Sequence, residues 1–272
     1  MIPTTVTWHM ARRLFAIVFA IFMLVPIVIV LISSFTAEDY LRFPPHVYGV
    51  RWYVAAFRNS TFLEAIIYSF EIATVVAAAA GILGASSALA LTRNVFPGRG
   101  ALLGLIMMPL ALPHIVIAIA LLQLFSLSSL PIAPYGLVAG HVIVVTPFVV
   151  RLTMTSLGHL DRQLELASYS LGASPWQTLR YLTLPLIMPG LAAGIVLAFL
   201  LSFDEVTLSI FLSLPGKTPL PVELFNYASQ GDDPVVTAAS GLMILFAAAL
   251  VLIIERVFGV LRLISNEQPS LP

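Results

Sequence analysis

Residues 14–32 read LFAIVFAIFMLVPIVIVLI, a run of 19 residues without a polar or charged side chain. A helix needs about 20 apolar residues to cross the ~30 Å hydrocarbon core of a bilayer, so this run predicts a membrane-spanning helix. Arg12 and Arg13 precede the run, as basic residues do in a signal peptide, but no small-x-small cleavage site follows it. We therefore expect an uncleaved anchor.

Five further apolar runs follow along the chain. They cover residues 64–91, 100–125, 135–157, 186–209 and 235–254. These runs are too long to be the short alternating strands of a membrane β-barrel. The sequence therefore predicts an all-α polytopic membrane protein, in which residues 1–272 form a single domain with six spanning helices.

The composition excludes a soluble enzyme, a disordered chain and a nucleic-acid binder. Charged residues make up only 10% of the chain, whereas soluble domains have about 25%. The 13 basic residues cancel the 13 acidic ones, so no net charge attracts a nucleic acid. Cysteine is absent, and no HExxH or GxSG tract occurs. We therefore predict no catalytic residue, no metal site and no bound cofactor.

Basic residues are unevenly distributed among the loops that six spans would create. With the N-terminus inside, nine of the 13 basic residues, Arg262 among them, lie on the cytoplasmic side. Because basic residues favour that side, we expect both termini in the cytoplasm and residues 35–63 outside. Residues 159–184 then form the longest cytoplasmic loop. The polar tail of residues 265–272 is expected to be disordered.

The long loop contains the stretch DRQLELASYSLGASPWQTLRYLTLP at residues 161–185. Gly172 suits the position after a helix end, where the left-handed conformation is free of Cβ strain. Residues 174–177 (SPWQ) fit a capping box with proline at the first helical position. The stretch therefore predicts two short helices joined at Gly172, and a plain connector lying on the lipid headgroups is the alternative. One narrow helical face precedes the glycine, formed by Leu164, Ala167, Ser168 and Leu171.

The same stretch resembles the loop motif of ABC importer permeases, which reads E-A-A-x-x-x-G, nine residues, then I-x-L-P. Gly172 matches the motif glycine, and residues 182–185 (LTLP) match I-x-L-P in spacing and type. Residues 166–168 (LAS) stand at the E-A-A positions, and the glutamate, Glu165, comes one position early. The resemblance implies a set of ATPase-coupling residues, namely Glu165, Leu166, Ala167, Ser168, Gly172, Ala173, Leu182, Leu184 and Pro185.

The resemblance extends over residues 90–272 and is closest to the spermidine/putrescine-type subfamily. It is carried by PLALPHIVIAIALL at 109–122, GHVIVVTPFVVR at 140–151, SFDEVTLSIFL at 202–212 and PLPVELF at 219–225. It implies an inner-membrane permease that works with a second homologous or identical permease subunit, two ATP-binding subunits and a periplasmic solute-binding protein. ATP would be bound by the ATPases, and their closure would move the spans through the loop helix.

Ionisable residues inside the predicted spans are costly in a bilayer, so each is a candidate for the solute path. Glu71 lies inside the second run, where it either faces a cavity or the partner subunit or makes a polar contact between helices. Asp204 and Glu205 lie near the outer end of the fifth run, as a solvated helix end or as a negative lining for a cationic solute. Phe199 and Phe203 would add cation–π contacts to an ammonium group.

Two histidines lie in the third and fourth runs. His114 follows Pro113, and together with Pro109 this predicts a break or kink in the third run, where backbone carbonyls could face a path. His141 lies in the fourth run, six residues before Pro147. Each histidine is either a path residue or a hydrogen-bonded contact between helices.

The solute that these features favour is a small cation or amine such as a polyamine. An amino-acid-like amine, an opine, an organophosphonate and ferric ion stay open as alternatives. For the chain as a whole, a secondary transporter is the first alternative, but it would need no coupling loop and would usually show internal repeats. A membrane-embedded enzyme is the second.

Overall fold

The computed structural model of the protein describes residues 4–128, 135–214, 216–231 and 234–258. Across these ranges the chain forms α-helices, one 3₁₀ turn, one π turn and two isolated β-bridges. The predicted all-α fold is therefore confirmed. Arg262 and the tail of residues 265–272 lie outside the described residues.

The helices of the described ranges are numbered in chain order. They are α1 (Thr4–Ser34), α2 (Arg51–Arg58), α3 (Ser60–Arg93), α4 (Arg99–Met107), α5 (His114–Ser128), α6 (Tyr135–His159), α7 (Arg162–Ser170), α8 (Pro175–Thr178), α9 (Leu184–Phe203), α10 (Thr207–Leu212), α11 (Leu220–Gln230) and α12 (Pro234–Phe258). The first, second, fourth and sixth predicted runs lie inside α1, α3, α6 and α12, and each of these helices is longer than its run.

The third predicted run is broken rather than straight. A 3₁₀ turn at Met108–Ala111 ends its first half, and the two halves meet at 106°. Pro113 has no N–H to continue the helix, and it holds Leu112 in an extended conformation (φ −96°, ψ 138°). The predicted break is thus confirmed. The described residues contain five helices able to cross a membrane, or six spans if this bent pair is counted as one.

The fifth predicted run ends earlier than expected. α9 ends at Phe203 rather than near Ser209, and the chain turns at Asp204 before α10 begins. The Glu205 carboxylate accepts a hydrogen bond from the Leu208 N–H (3.1 Å), which caps the first turn of α10. The expectation that the two adjacent carboxylates lie on one helix is therefore wrong, because the second of them caps a new helix.

One compact unit of the chain comprises Glu64–Glu223 and Ala249–Pro272. Within it α6 and α9 pack closely, because Gly190 and Gly194 of α9 face the backbone of α6. Small residues of this kind let spanning helices approach one another. Apolar side chains fill the surrounding core, including Val76, Ile117, Val144, Val149, Leu191, Ala198 and Leu208.

The other compact unit comprises Met1–Leu63 and Leu224–Ala248. In this unit Ser34 Oγ and Tyr53 OH share a hydrogen bond of 2.6 Å, which fixes the C-terminal end of α1. By contrast, none of the residues in the most apolar 18-residue stretch of Met10–Ser34 is buried inside the chain. Lipid or another subunit must cover those side chains.

Replacing Gly190 with alanine tests the packing of α6 on α9. The added Cβ would contact Ser156 Oγ and lie 2.7 Å from the Leu152 carbonyl oxygen, so we expect a loss of about 1–3 kcal/mol of stability. Gly104→Ala in α4 is the matched control, because nothing lies within 4 Å of its added Cβ. Thermal unfolding in detergent should show a lower midpoint for the first variant only, and equal midpoints would contradict the packing.

Candidate functional site

The predicted loop helix is α7, and both of its ends are capped. At its N-terminus Asp161 accepts a hydrogen bond from the Gln163 N–H (2.9 Å). At its C-terminus Gly172 is left-handed (φ +88°). The Gly172 N–H bonds to the Tyr169 carbonyl, and the next N–H bonds to the Ser168 carbonyl. These two bonds form a Schellman motif, which requires the left-handed residue that the sequence predicts at Gly172.

The second short helix begins as predicted but does not end before span five. The Ser174 N–H donates to Gln177 Oε1 (2.7 Å), and the Gln177 N–H donates to Ser174 Oγ (3.3 Å). α8 then continues through a π turn at Leu179–Thr183 into α9, so that Pro175–Phe203 is one apolar helix. Pro185 does not stop it, because it lies in the first turn after the π turn, where the α-helical ladder is already interrupted.

α7 exposes its apolar side chains and buries its glutamate. Leu164, Leu166 and Tyr169 are 47%, 46% and 45% exposed, and Leu171 at its end is 90% exposed. Glu165 is only 8% exposed. A helix on the surface of a soluble protein does the reverse. An exposed apolar face of this kind marks a surface that either another protein or the membrane covers.

The buried Glu165 holds α7 against two other helices. Arg93 Nε, at the end of α3, lies 3.0 Å from Glu165 Oε2. Thr183 Oγ1, at the start of α9, donates to Glu165 Oε1 (2.8 Å). Beside this site Ser168 Oγ and Thr178 Oγ1 share a hydrogen bond of 2.6 Å. Sequence reasoning had missed Arg93 and both threonines, since nothing in the local pattern distinguishes them.

The remaining predicted coupling residues are apolar and surround this network. Ala167 and Pro185 are exposed, whereas Ala173 and Leu182 are half-buried. Leu184 packs against the buried core of the spans. Some of the predicted residues therefore form an exposed face, Glu165 and Ser168 make polar contacts with other helices, and Leu184 packs into the core.

A second polar cluster forms where the breaks in the third and fifth runs meet. His114 Nδ1, at the start of α5, lies 2.8 Å from Glu205 Oε2, a distance at which a ring N–H donates to a carboxylate. The other carboxylate oxygen accepts the Leu208 N–H. The side chain of Glu205 is 13% exposed, and that of His114 is 41% exposed. Both oxygens of Glu205 are therefore engaged within the chain.

His141 is a hydrogen-bonded contact between helices. Its Nδ1 lies 2.8 Å from Ser202 Oγ, and its Nε2 lies 3.2 Å from Ser209 Oγ. The residue is 1% exposed. The ring joins α6 to the residues on both sides of the break after α9.

The other path candidates are next in sequence to the residues of an aromatic row. The rings of Phe70, Phe199 and Phe203 pack in series, with centroids 5.3 Å and 5.8 Å apart. Glu71 follows the first ring in sequence, Asp204 follows the last, and both residues are exposed. Phe70 is 50% exposed and was not singled out from the sequence. An exposed aromatic face attracts an ammonium group, and Phe70 is the most exposed ring of the row, whereas Phe203 is 8% exposed.

Comparison with known proteins agrees with this architecture. The family profile described as "Binding-protein-dependent transport system inner membrane component" matches residues 80–264. The chain is 32% identical to the spermidine/putrescine transport system permease protein PotC of Haemophilus influenzae, over 89% of this chain and 94% of that protein. It is also 32% identical to the putrescine transport system permease protein PotI of Escherichia coli, over 82% of each.

A solved structure shares the fold. It is a bacterial ABC transporter involved in the import of the acidic polysaccharide alginate, and one of its chains superposes with a TM-score of 0.69. The match covers 95% of this chain and 99% of that chain at 17% sequence identity. At this identity the likeness concerns the arrangement of helices alone.

Proposed function

We propose that this chain carries a small cationic amine of the polyamine class. The chain belongs to the family of binding-protein-dependent transport system inner membrane components and is an ABC transporter permease. Relatives named for spermidine and putrescine support this solute class. The observation in the structure that carries the proposal is the aromatic row, with an exposed carboxylate next in sequence to the ring at each end. Polyamines alternate ammonium groups with alkyl segments, which suits carboxylates separated by aromatic faces.

One exposed face of α3 supports a solute path shared with a second subunit. Glu64, Glu71 and Thr74 are all exposed, and their spacing places them on one side of the helix. A carboxylate in the middle of a spanning helix does not face lipid, because its transfer into hydrocarbon is too costly. We propose that this face lines the path and that a second permease subunit forms the opposite wall.

Of the two adjacent carboxylates, Asp204 is the one that we assign to the solute. Both oxygens of Glu205 are occupied, by His114 and by the Leu208 N–H. Asp204 is exposed, and only its backbone N–H is used, in closing the last turn of α9. Glu205 thus shapes the break, while Asp204 is free to pair with a cation.

The exposed apolar face of α7 is the proposed docking surface for an ATP-binding subunit. In the chain, α7 lies between α6 and the helix Pro175–Phe203, so a displacement of α7 is transmitted directly to span five. We propose two such ATPases and a solute-binding protein on the opposite side of the membrane. A secondary transporter, the first alternative, has no need of this surface, and the family membership does not favour it.

The orientation of the chain is testable with reporter fusions. Because most basic residues lie on one side of the predicted spans, we expect both termini and α7 to be cytoplasmic. Fusions of an enzyme active only in the periplasm should be active at Asn59 and inactive at Gln177. Equal activity at the two positions would contradict the topology.

Removing single carboxylates tests the solute path. Charge-assisted contacts are worth about 1.5–3 kcal/mol, so Asp204→Asn should lower putrescine uptake at sub-saturating concentration by roughly tenfold or more. Glu71→Gln should act in the same direction. Glu205→Gln should have a smaller effect, because glutamine still accepts from the Leu208 N–H. Basal ATP hydrolysis by the assembled transporter should stay near normal in each case.

The matched control for these variants is Asp39→Asn. Asp39 is an exposed carboxylate that pairs with Arg51 outside the spanning helices. Its removal should leave uptake unchanged. Unchanged uptake in the triple variant at Glu71, Asp204 and Glu205 would refute the path.

The turn after α7 is tested by Gly172→Val. Valine fits the left-handed conformation poorly, and we expect a local cost above ~1 kcal/mol that disorders the turn. The variant should insert in the membrane but lose uptake and retain less ATPase on purification. Gly158→Val is the control, since nothing lies within 4 Å of its added Cβ. Normal solute-stimulated ATP hydrolysis in Gly172→Val would rule out the coupling role.

A further inference from the structure

Arg93 ends the spanning helix α3 on the side where α7 lies, and the loop motif does not include it. Its Nε is 3.0 Å from Glu165 Oε2, and the two side chains are 20% and 11% exposed. Arg93 Nε and Nη2 are both buried and make no hydrogen bond in the described part of the chain, so the contact with Glu165 is an ion pair set by charge and distance. A pair sheltered from water in this way is screened far less by salt than a surface ion pair. The positive charge of Arg93 therefore stabilises the buried carboxylate of Glu165.

α7 is attached to the spans mainly through this glutamate. Glu165 is the buried residue of the helix, and its apolar neighbours point outward. Apolar packing therefore does not hold α7 in place. The attachment consists of the Arg93 ion pair, the Thr183 hydrogen bond and the neighbouring contact between Ser168 and Thr178.

These contacts give α7 two connections to the membrane helices. The first leads to α8 and α9, along the chain through the turn at Gly172 and across the hydrogen bonds of Thr178 and Thr183. The second runs through space, from Glu165 to Arg93 on α3. A displacement of α7 that used only the first connection would move span five and leave α3 behind.

We propose that Arg93 is a positioning residue that makes α3 follow α7, so that one displacement of the coupling helix moves α3 and α9 together. This proposal rests on the proposed function, in which α7 receives the motion of an ATPase. α3 carries Glu71, and α9 ends directly before Asp204. The ion pair therefore ties together the two helices that position the proposed path carboxylates.

The chemistry of Glu165 allows the ion pair to be tested apart from the rest of the network. Glu165→Gln keeps an oxygen that accepts from Thr183 Oγ1 and removes only the charge. Arg93→Gln removes the same charge pair from the other side. The exchange Arg93→Glu with Glu165→Arg restores opposite charges at the two positions. Arg99→Gln, at the start of α4, is the matched control for loss of a cationic side chain on this side.

The first measurement is the amount of putrescine imported per ATP hydrolysed, by the complete transporter in liposomes. Pairs in one network couple by up to a few kcal/mol, so each single variant should lower this ratio about tenfold, and the exchange should bring it back to within about threefold of wild type. ATP hydrolysis itself should change less than the ratio. Wild-type ratios in both single variants would overturn the proposal, as would an exchange that performs no better than the singles.

The second measurement needs no solute. The chain has no cysteine, so spin labels can be attached at introduced cysteines, with cysteine-free partner subunits. Labels at Ala90 in α3 and Ser170 in α7 report the distance between the helices. In wild type this distance should stay constant when ATP is added, because the helices move together. In Arg93→Gln it should shift or broaden on ATP addition, and an unchanged distance there would overturn the proposal.

A third label separates this proposal from the proposed function. Leu171 is 90% exposed at the end of α7, and a label there should be immobilised when the ATPase is present. Failure of that immobilisation would refute the docking of α7 itself. Immobilisation together with identical Ala90–Ser170 distances in wild type and Arg93→Gln would refute the role of Arg93 alone. If Arg93→Gln does not assemble, Glu165→Gln carries the same two measurements.

Discussion

No water is available inside the hydrocarbon of a bilayer, so every charge and every backbone group freed by a helix break must find a partner within the protein. This constraint accounts for the contact between two polar residues at helix breaks. The breaks after Leu112 and after Phe203 lie side by side, and His114 and Glu205 pair across them. Each break thus supplies the polar group that the other needs. The bent third span and the shortened fifth span are one feature of the fold rather than two.

The same constraint explains why α7 is arranged in the opposite way to a soluble surface helix. The apolar side chains of α7 are exposed rather than packed against the spans. Attachment therefore falls to buried polar contacts, and a buried glutamate is stable only with a cation and a donor beside it. Arg93 and Thr183 supply these.

The sequence predicted the features that depend on local physics. Span length follows from bilayer thickness, the break at Pro113 from a missing N–H, and the turn at Gly172 from a left-handed backbone. The side-chain partners of Glu165, Glu205 and His141 were not predictable, because they lie between 18 and 91 positions away along the chain. The end of span five was mispredicted for a related reason. Hydropathy continues through α10, and only the side-chain cap from Glu205 marks the new helix.

The environment around Asp204 and Glu205 shows why a motif alone does not identify a solute. The two residues are adjacent and chemically alike, and in the sequence both read as a lining for a cation. In the folded chain one has both oxygens engaged and the other is exposed. In the proposed solute path, the negative charge that is available therefore depends on the residue at position 114 as well as on the carboxylates themselves. A histidine there engages Glu205, whereas a side chain unable to donate would leave one more carboxylate oxygen free.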